Sequence, residues 1–214
     1  MSIRVVVADD HDLVRLGLVR MLEDVEGVKV VGEAASGEEA IRLCKQLSPN
    51  VVLMDVKMPG IGGLEATRKL VQQVEHVAVV AVSALSDQVY SSKLLKAGAL
   101  GYVTKDAELF EMVSAIKHAA HGKRYLSPNI AQQMALSTLD PDSSPFDQLS
   151  ERELQVAMMV INCEKVGVIS EKLCLSAKTV NSYRYRIFEK LDVESDVELT
   201  RLAIRHGLLD YQDI

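Results

Sequence analysis

Residues 51–60, Val-Val-Leu-Met-Asp-Val-Lys-Met-Pro-Gly, contain the strand on which the predicted fold depends. Four consecutive apolar residues lead into Asp55 without polar alternation, a pattern typical of a strand buried on both faces of a parallel sheet. Pro59-Gly60 cannot continue the strand. Asp55 is therefore expected at the carboxyl end of a central strand, the edge where open α/β sheets build their sites. The alternative is that Asp55 only caps the loop after the strand.

A second apolar run, residues 3–8, ends in the sequence Asp9-Asp10-His11-Asp12. If the two runs form neighbouring parallel strands, their carboxyl ends bring several carboxylates to one edge of the sheet. Carboxylates that lie so close repel each other and raise each other's pKa. A hard divalent cation with oxygen ligands relieves that repulsion, and Mg²⁺ fits this donor set.

Residues 1–122 alternate between apolar runs and amphipathic stretches of helical length. In one stretch, Ala40 and Cys44 share a helical face, and Ser36 is a candidate N-cap. Five such β/α units in series predict a doubly wound, five-stranded parallel sheet with right-handed crossovers. The predicted strands are 3–8, 28–31, 51–54, 77–82 and 100–103, and the predicted helices are 12–24, 37–47, 63–74, 87–97 and 107–120.

Polar side chains also follow the last two predicted strands. Ser83 ends one strand, and Lys105 follows the strand that contains Tyr102. A carboxylate cluster, a hydroxyl donor and a cation at one edge suit an incoming phosphoryl group, with Asp55 as the nucleophile and Lys105 pairing with the phosphoryl oxygens. The alternatives are that Ser83 caps the next helix and that Lys105 is a solvated loop cation.

Four features occur along the chain in a fixed order: Asp9-Asp10, then Asp55 followed by Met58-Pro59-Gly60, then Ser83, then Lys105. In this order, residues 1–122 resemble the receiver domain of bacterial two-component response regulators, which has a flavodoxin-like fold. The resemblance implies that Asp55 accepts a phosphoryl group from a phosphohistidine of a sensor histidine kinase. It also implies that Ser83 and Tyr102 form a switch pair. For Tyr102, the alternative is a half-buried sheet residue with its hydroxyl in water.

The same resemblance implies that Asp10, Asp55 and the backbone carbonyl of Lys57 coordinate Mg²⁺, with Asp9 assisting. Haloacid-dehalogenase-type phosphatases also place an aspartate nucleophile at a strand end beside Mg²⁺. They carry a second aspartate two positions after the nucleophile, where this chain has Lys57, so we expect a phospho-acceptor rather than an enzyme. A protein-docking module that is never phosphorylated is the other alternative.

The composition of the 214 residues bounds the class of protein. The length suits two modest domains, and neither a signal peptide nor an apolar run of membrane-spanning length is apparent. We therefore expect a cytoplasmic protein with no membrane partner. The net charge of -6 requires that any nucleic-acid site be a local basic patch. The three cysteines, Cys44, Cys163 and Cys174, lack metal-ligand spacing and are interpreted as small, reduced core residues.

Residues 123–146 break the β/α pattern and are predicted to be a linker. A single helix is predicted over 128–138, with Ser127 as its N-cap and Pro128 at its first position. The following sequence, Leu-Asp-Pro-Asp-Ser-Ser-Pro over 139–145, has the composition of a linker.

Residues 147–214 show only helical signals and predict an all-α domain of four helices. Ser150 and Glu153 form a predicted capping box, and Ser176 is expected to cap the third helix. Two short helices joined by a tight turn around residues 174–176 suggest a helix-turn-helix motif. The predicted helices are 151–161, 165–173, 177–191 and 196–206.

The third of these helices has an apolar and a polar face. Val180, Ile187 and Leu191 form the predicted buried stripe, and Glu189 is the sole acidic residue of the helix. The other residues give a local positive strip with hydrogen-bonding groups that can read bases, although an ordinary solvated face is the alternative. The candidate DNA-binding residues are Lys178, Thr179, Asn181, Ser182, Tyr183, Arg184, Tyr185, Arg186 and Lys190.

Three sequence segments carry a second resemblance: 149–153, Leu-Ser-Glu-Arg-Glu; 175–180, Leu-Ser-Ala-Lys-Thr-Val; and 187–191, Ile-Phe-Glu-Lys-Leu. Residues 147–210 resemble the LuxR-type helix-turn-helix domain of the NarL/FixJ class. Two departures are Val168-Ile169, where many members have Ile-Ala, and Tyr183, where many have His. A tyrosine hydroxyl at this position can still contact phosphate. The whole chain is similar to the GacA/UvrY group of global regulators.

The two resemblances together imply a transcription factor that phosphorylation switches on. They imply double-stranded promoter DNA and a GacS/BarA-like hybrid sensor histidine kinase as partners, and RNA polymerase is a further candidate. One recognition helix reads few base pairs, so a homodimer on a two-fold site is expected when the protein is active. The predicted helix 196–206 is either the dimer element or packs onto its own domain.

Overall fold

The fold is that of a computed structural model, which describes residues 2–83, 90–139, 144–206 and 208. The chain divides into two units, residues 1–136 and 137–214. The first unit contains the sheet, and the described part of the second is helical. Among the described residues, none of the helices has both the length and the apolar character that a membrane crossing requires.

A parallel sheet forms the centre of the first unit, with the strand order β2-β1-β3-β4-β5-β6. The prediction of five strands was wrong by one, because the described sheet has six. The additional strand, β6, has only two residues and lies in the predicted linker, and so short a strand has no periodicity that a sequence could reveal. The strands are β1 Ile3–Ala8, β2 Val28–Ala34, β3 Val51–Asp55, β4 Ala78–Ser83, β5 Gly101–Thr104 and β6 Tyr125–Leu126.

Helices cover both faces of this sheet. One core cluster packs α1 and α5 against one face, and a second packs α2 and α3 against the other. All five residues of β3 are buried, as its uninterrupted apolar sequence predicted. The helices are α1 Asp12–Glu23, α2 Gly37–Leu47, α3 Gly62–Gln73, α4 Ser91–Lys96, α5 Leu109–Ala120 and α6 Pro128–Leu139.

The connection from β5 through α5 to β6 departs from the expected handedness. The sheet advances in one direction from β3 to β4 and from β5 to β6. The connecting helices α3 and α5 nevertheless lie on opposite faces. The two crossovers therefore have opposite hands, and crossovers of the rarer hand are seldom seen between regular parallel strands. Because β6 is so short, it adds little to the regular β/α repeat that the sequence predicted.

In the described part of the second unit, a short 3₁₀ turn at Pro145–Gln148 is followed by four α-helices. The capping box of Ser150 and Glu153 is confirmed, and the side chain of Ser176 caps the third helix. Val180, Ile187 and Leu191 are buried, which confirms the predicted apolar stripe. The helices are α7 Glu151–Ile161, α8 Val166–Leu173, α9 Ala177–Leu191 and α10 Asp196–Arg205.

Three local expectations differ from the structure. The hydroxyl of Ser127 has no hydrogen-bond partner in the described part of the chain, so it does not act as the predicted N-cap of α6. Only Cys44 is a core residue. Cys163 and Cys174 are exposed, because both occupy left-handed backbone positions at helix ends rather than apolar helix faces. Part of the predicted helix 87–97 lies outside the described residues, and the described helix there is α4.

Candidate functional site

Strand register brings the predicted polar residues to one edge of the sheet. Ala8 of β1 pairs with Met54 of β3, so Asp9 and Asp55 follow at the same level. Asp55 pairs in turn with Val82 of β4, one residue before Ser83. On the next strand the backbone N–H of Lys105 donates to the carbonyl of Ser83, 2.7 Å away. Four strands thus deliver these side chains to one place, as their positions in the sequence predicted.

The ammonium group of Lys105 lies between two buried carboxylates. Its Nζ is 2.7 Å from Oδ2 of Asp9 and 3.0 Å from Oδ2 of Asp55. The side chains of Asp9 and Asp55 are 1% and 2% exposed, whereas that of Lys105 is 22% exposed. Lys105 is therefore an ion-pair partner inside the site rather than a solvated loop cation.

A third carboxylate, that of Asp10, completes an acidic cluster. Ligand atoms of Asp9, Asp10, His11 and Asp55 all lie within 4.8 Å of one another. His11 is near Asp10, with Nδ1 3.0 Å from Oδ1, although the sequence did not single it out as a ligand. Imidazole nitrogen suits transition metals better than Mg²⁺, so the oxygen donors define the character of the site.

The charges and hydrogen bonds of this cluster fit a divalent cation. Among the described residues, three carboxylates share this cluster with one ammonium group, which leaves an excess of negative charge in a largely buried place. Asp9 Oδ2, Asp10 Oδ1 and Asp55 Oδ2 are buried and receive no well-aligned hydrogen bond from the described residues, and only ion-pair contacts balance them. Buried carboxylate oxygens without donors are the ligands that a hard cation takes.

Burial dominates the ionisation of Asp55. It raises the pKa of the Asp55 carboxyl to about 7, an effect that Lys105 opposes and the negative charge of Asp9 reinforces. For Lys105, burial acts against the charged form, but the neighbouring carboxylates of Asp55 and Asp9 outweigh it and raise its pKa. The site therefore holds a buried carboxylate whose charge depends on its neighbours.

Ser83 and Tyr102 are in direct contact. The hydroxyl of Tyr102 donates to Oγ of Ser83 over 2.7 Å, and both side chains are fully buried. Tyr102 therefore points inward, and the alternative of a half-buried ring with its hydroxyl in water does not apply. Ser83 engages a neighbouring strand rather than only capping the next helix.

The loop after β3 is held by Glu38 of α2, a residue that the sequence did not identify. Lys57 is in this loop, and its backbone N–H lies 3.4 Å from Oδ1 of Asp55. Further along, the N–H of Ile61 donates to Oε1 of Glu38 on α2. A Cβ on Gly60, whose φ is +76°, would lie 2.5 Å from that carboxylate oxygen. Because Glu38 meets the loop only through the packing of α2 beside α3, no sequence spacing could have indicated it.

The exposed surface of α9 presents most of the candidate DNA-binding residues. Tyr185 is 73% exposed, and Lys178, Ser182 and Arg186 are exposed as well, while Asn181 is half-buried. A groove of about 340 Å³ lies along this surface. It is lined by Lys178, Thr179, Ser182, Tyr183 and Arg186.

Two other basic residues of α9 are held by acidic side chains of their own unit. Arg184 pairs with Asp196 of α10 and lies over the ring of Phe188. Nζ of Lys190 is 2.6 Å from Oε2 of Glu153, the buried carboxylate of the α7 capping box. These two ion pairs connect α9 to α10 and to α7, so the basic side chains do not face only solvent.

Two family models match the chain, and each covers one of the two candidate sites. Residues 5–117 match the model of the response regulator receiver domain. Residues 147–203 match the model of the bacterial regulatory proteins of the luxR family. The acidic site lies within the first match, and α9 lies within the second.

The chain is also similar to known proteins over nearly its full length. It is 60% identical over 210 residues to the response regulator GacA of Pseudomonas viridiflava, covering 97% of this chain and 98% of that protein. It is 51% identical over 214 residues to the response regulator UvrY of Escherichia coli K12, covering 99% and 98%. A crystal structure of a LuxR-family two-component response regulator from Aurantimonas sp. SI85-9A1 is 38% identical with a TM-score of 0.62, covering 65% of this chain and all of that one. The chain belongs to the response regulators that join a receiver domain to a LuxR-type DNA-binding domain.

Proposed function

We propose that this response regulator is switched on by phosphorylation of Asp55 and then binds promoter DNA through α9. The phosphoryl group comes from a phosphohistidine of a sensor histidine kinase. The N–P bond to the imidazole breaks, an O–P bond forms at an Oδ atom of Asp55, and the imidazole departs with a proton. The observation that carries the proposal is the contact of Lys105 with both Asp9 and Asp55 in a buried acidic cluster.

Asp10, Asp55 and the backbone carbonyl of Lys57 would hold Mg²⁺, with Asp9 assisting. The buried carboxylate oxygens described above, which receive no well-aligned hydrogen bond from the described residues, support this assignment. Bound there, the cation would neutralise part of the negative charge on the phosphoryl oxygens. Lys105 contacts Asp9 and Asp55 in the same cluster, and its ammonium group can follow the phosphoryl oxygens once they are present.

Ser83 and Tyr102 would transmit phosphorylation to the rest of the receiver. The Ser83 hydroxyl can donate to a phosphoryl oxygen while it accepts the hydroxyl proton of Tyr102, an arrangement that the 2.7 Å contact between them supports. The position of Tyr102 is thereby linked to the charge on Asp55. We expect the affected surface to include the neighbouring helices α4 and α5.

We further propose that the exposed polar residues of α9 contact DNA. Lys178 and Arg186 are suited to phosphates, and Ser182 and Tyr185 can reach base edges or the backbone. Thr179, Asn181 and Tyr183 belong to the same proposed surface. For Arg184 and Lys190, the ion pairs with Asp196 and Glu153 support a different role, which is to hold α9 on its domain.

The remaining parts of the proposal concern organisation and partners. The receiver would extend over 1–122, the linker over 123–146 and the DNA-binding domain over 147–214. The protein would act in the cytoplasm as a homodimer. Its partners would be a GacS/BarA-like kinase and, at promoters, RNA polymerase. Its chemistry would be limited to its own phosphotransfer and slow dephosphorylation.

DNA binding with and without beryllofluoride and Mg²⁺, a mimic of aspartyl phosphate, tests this function. Duplexes selected from a randomised library serve as the probe in fluorescence anisotropy. We expect the mimic to tighten binding in the wild-type chain and to have no effect in Asp55→Asn. Tightening that persists in Asp55→Asn would refute the phospho-acceptor. Equal binding in both conditions would refute control of affinity by the receiver.

A further inference from the structure

His11 contributes the only imidazole to the acidic cluster of the described residues. The donor atoms that lie within 4.8 Å of one another belong to Asp9, Asp10, His11 and Asp55. Donors bound about 2.1 Å from one octahedral ion lie about 3.0 Å apart at adjacent positions and about 4.2 Å apart at opposite ones. The imidazole is therefore close enough to the carboxylates to share a single ion with them.

The loop between β1 and α1 holds His11 beside the carboxylates. The backbone N–H of His11 donates to Oδ1 of Asp9 over 2.8 Å, which fixes the turn that follows β1. His11 is the N-cap of α1, but its side chain makes no capping hydrogen bond. The ring is turned toward the cluster instead, with Nδ1 3.0 Å from Oδ1 of Asp10 and 3.5 Å from Oδ1 of Asp9. The backbone of the loop thus places this nitrogen among the oxygen donors.

The contact between His11 and Asp10 lacks the alignment of a hydrogen bond. Oδ1 of Asp10 is buried and accepts no hydrogen bond from the described residues, although Nδ1 of His11 is 3.0 Å away. The lone pair on Nδ1 in one tautomer points in the same direction as the N–H in the other, so it is not aimed at the carboxylate oxygen either. The two donor atoms lie side by side, as neighbouring ligands of one ion do.

The inner part of the cluster consists of buried oxygen donors. The side chains of Asp9 and Asp55 are 1% and 2% exposed, and their Oδ2 atoms receive no well-aligned hydrogen bond from the described residues. Lys105 pairs with both carboxylates but supplies only one positive charge. The side chain of His11 is 67% exposed. The imidazole is therefore the donor that an ion arriving from solvent can reach most easily.

We propose that His11 is a ligand of this cation site through Nδ1 and makes the site prefer six-coordinate transition metals to Mg²⁺. Mg²⁺ takes oxygen ligands and gains little from an imidazole. Ni²⁺ and related divalent ions bind imidazole well, and their affinity for a mixed nitrogen and oxygen donor set is high. The inference rests on the proposed function, in which the same carboxylates hold Mg²⁺, and it adds a ligand and an order of metal preference.

Calorimetric titration of the full chain with Ni²⁺ and with Mg²⁺ measures this preference. The substitutions Cys163→Ser and Cys174→Ser are present in every chain used, because exposed thiols bind the same transition metals. We expect His11→Asn to lower the ratio of Ni²⁺ affinity to Mg²⁺ affinity at least about tenfold, since losing even an outer-shell partner of a metal ligand costs about that much. His76→Asn is the matched control and should keep the ratio, because His76 is also exposed and lies beside a carboxylate, that of Glu75. An unchanged ratio in His11→Asn, or an equal loss in His76→Asn, would overturn the proposal.

Proton NMR of the chain with one equivalent of Ni²⁺ identifies the ligand. The ring N–H proton of an imidazole bound to paramagnetic Ni²⁺ is shifted far outside the ordinary proton range. We expect such a signal in His76→Asn and its loss in His11→Asn, and a signal that persists in His11→Asn contradicts the assignment. Phosphorylation of Asp55 by acetyl phosphate with Mg²⁺ is measured separately by mass spectrometry. A chain that binds Ni²⁺ through His11 but never phosphorylates Asp55 contradicts the proposed function and not the ligand.

Discussion

Lys105 illustrates how one residue sets the chemistry of its surroundings. Its ammonium group offsets part of the negative charge of Asp9 and Asp55, and it lies close enough to both to form ion pairs. Removing it leaves three carboxylates with no ammonium group in contact, a state that favours any incoming cation. We therefore expect Lys105 to weaken cation binding at this site.

Replacing Lys105 with methionine should tighten Mg²⁺ binding at least about tenfold. Even with the screening of water, a unit charge about 5 Å from a divalent ion costs about 1.7 kcal/mol. Isothermal titration calorimetry measures the change. Asp10→Ala is the opposing variant and should weaken binding. Weaker Mg²⁺ binding in Lys105→Met would contradict the assignment of the cluster as a cation site.

The three thiols should differ in reactivity. Burial raises the pKa of Cys44 to about 12, whereas Cys163 and Cys174 are exposed. We expect Cys163 and Cys174 to react with a disulfide reagent at pH 8 in the native chain and Cys44 to react only after unfolding, and mass spectrometry of the labelled peptides counts them. Rapid labelling of Cys44 in the folded chain would contradict its burial.

The raised pKa of Cys44 also affects the stability of the fold at alkaline pH. Since the pKa of Cys44 is raised on folding from its ordinary value of 9.0 to about 12, its contribution to stability is complete below pH 9 and is lost as the pH rises from 9 to 12. Replacing Cys44 with alanine should remove that part of the alkaline loss. The free energy of unfolding in urea at pH 8 and pH 10.5 provides the comparison.

At the scale of secondary-structure elements, one carboxylate joins two helices of the DNA-binding domain. Glu153 completes the capping box at the start of α7 and pairs with Lys190 near the end of α9. Burial alone would raise the pKa of Glu153, but its contacts with Lys190 and Ser150 outweigh burial and lower it below 4.5. This ion pair is one of the contacts that hold α9 against α7.

Glu153→Gln should destabilise the DNA-binding domain by about 1 kcal/mol at pH 7, a modest value because Lys190 remains partly in solvent. A lowered pKa gives stability that is present above pH 4.5 and lost as the pH falls further, so the difference between wild type and variant should shrink in acid. Hydrogen exchange of the α9 amides at pH 4 and pH 7 reports it. Glu189→Gln, at an exposed position of the same helix, should have no effect. A deficit that is equally large at both pH values would contradict the ion pair.

At the scale of the whole molecule, a chain of net charge -6 must bind a polyanion through a small basic surface. Under the proposed function, the exposed cations Lys178 and Arg186 would supply that surface, whereas Arg184 and Lys190 form ion pairs within the domain. The salt dependence of DNA binding separates these two groups, because it counts the phosphates that the protein neutralises.

Lys178→Ala should weaken DNA binding about equally on all sequences and reduce the slope of log K against log salt by about 1. Arg184→Ala should leave the slope nearly unchanged and lower the thermal stability of the domain. Binding titrations at several salt concentrations and thermal unfolding provide both readouts. A slope change of about 1 in Arg184→Ala, or a strong change of sequence preference in Lys178→Ala, would contradict these roles.

The sequence alone determined the central strand, the groups at its end and the helical faces. Two local sequence patterns are the uninterrupted apolar run before Asp55 and the stripe of Val180, Ile187 and Leu191. The structure buries the residues of both patterns. The positions of Asp9 and Lys105 beside Asp55 also followed, because parallel strands align their carboxyl ends.

Only the tertiary structure decided which distant groups meet. Glu38 reaches the loop after β3, and Lys190 pairs with Glu153 across 37 positions. Such contacts depend on helix packing and side-chain direction, which have no signature in sequence spacing. The sequence failed to predict the two-residue strand β6 and the exposure of Cys163 for the same reason. Each depends on a backbone path that the packed fold selects.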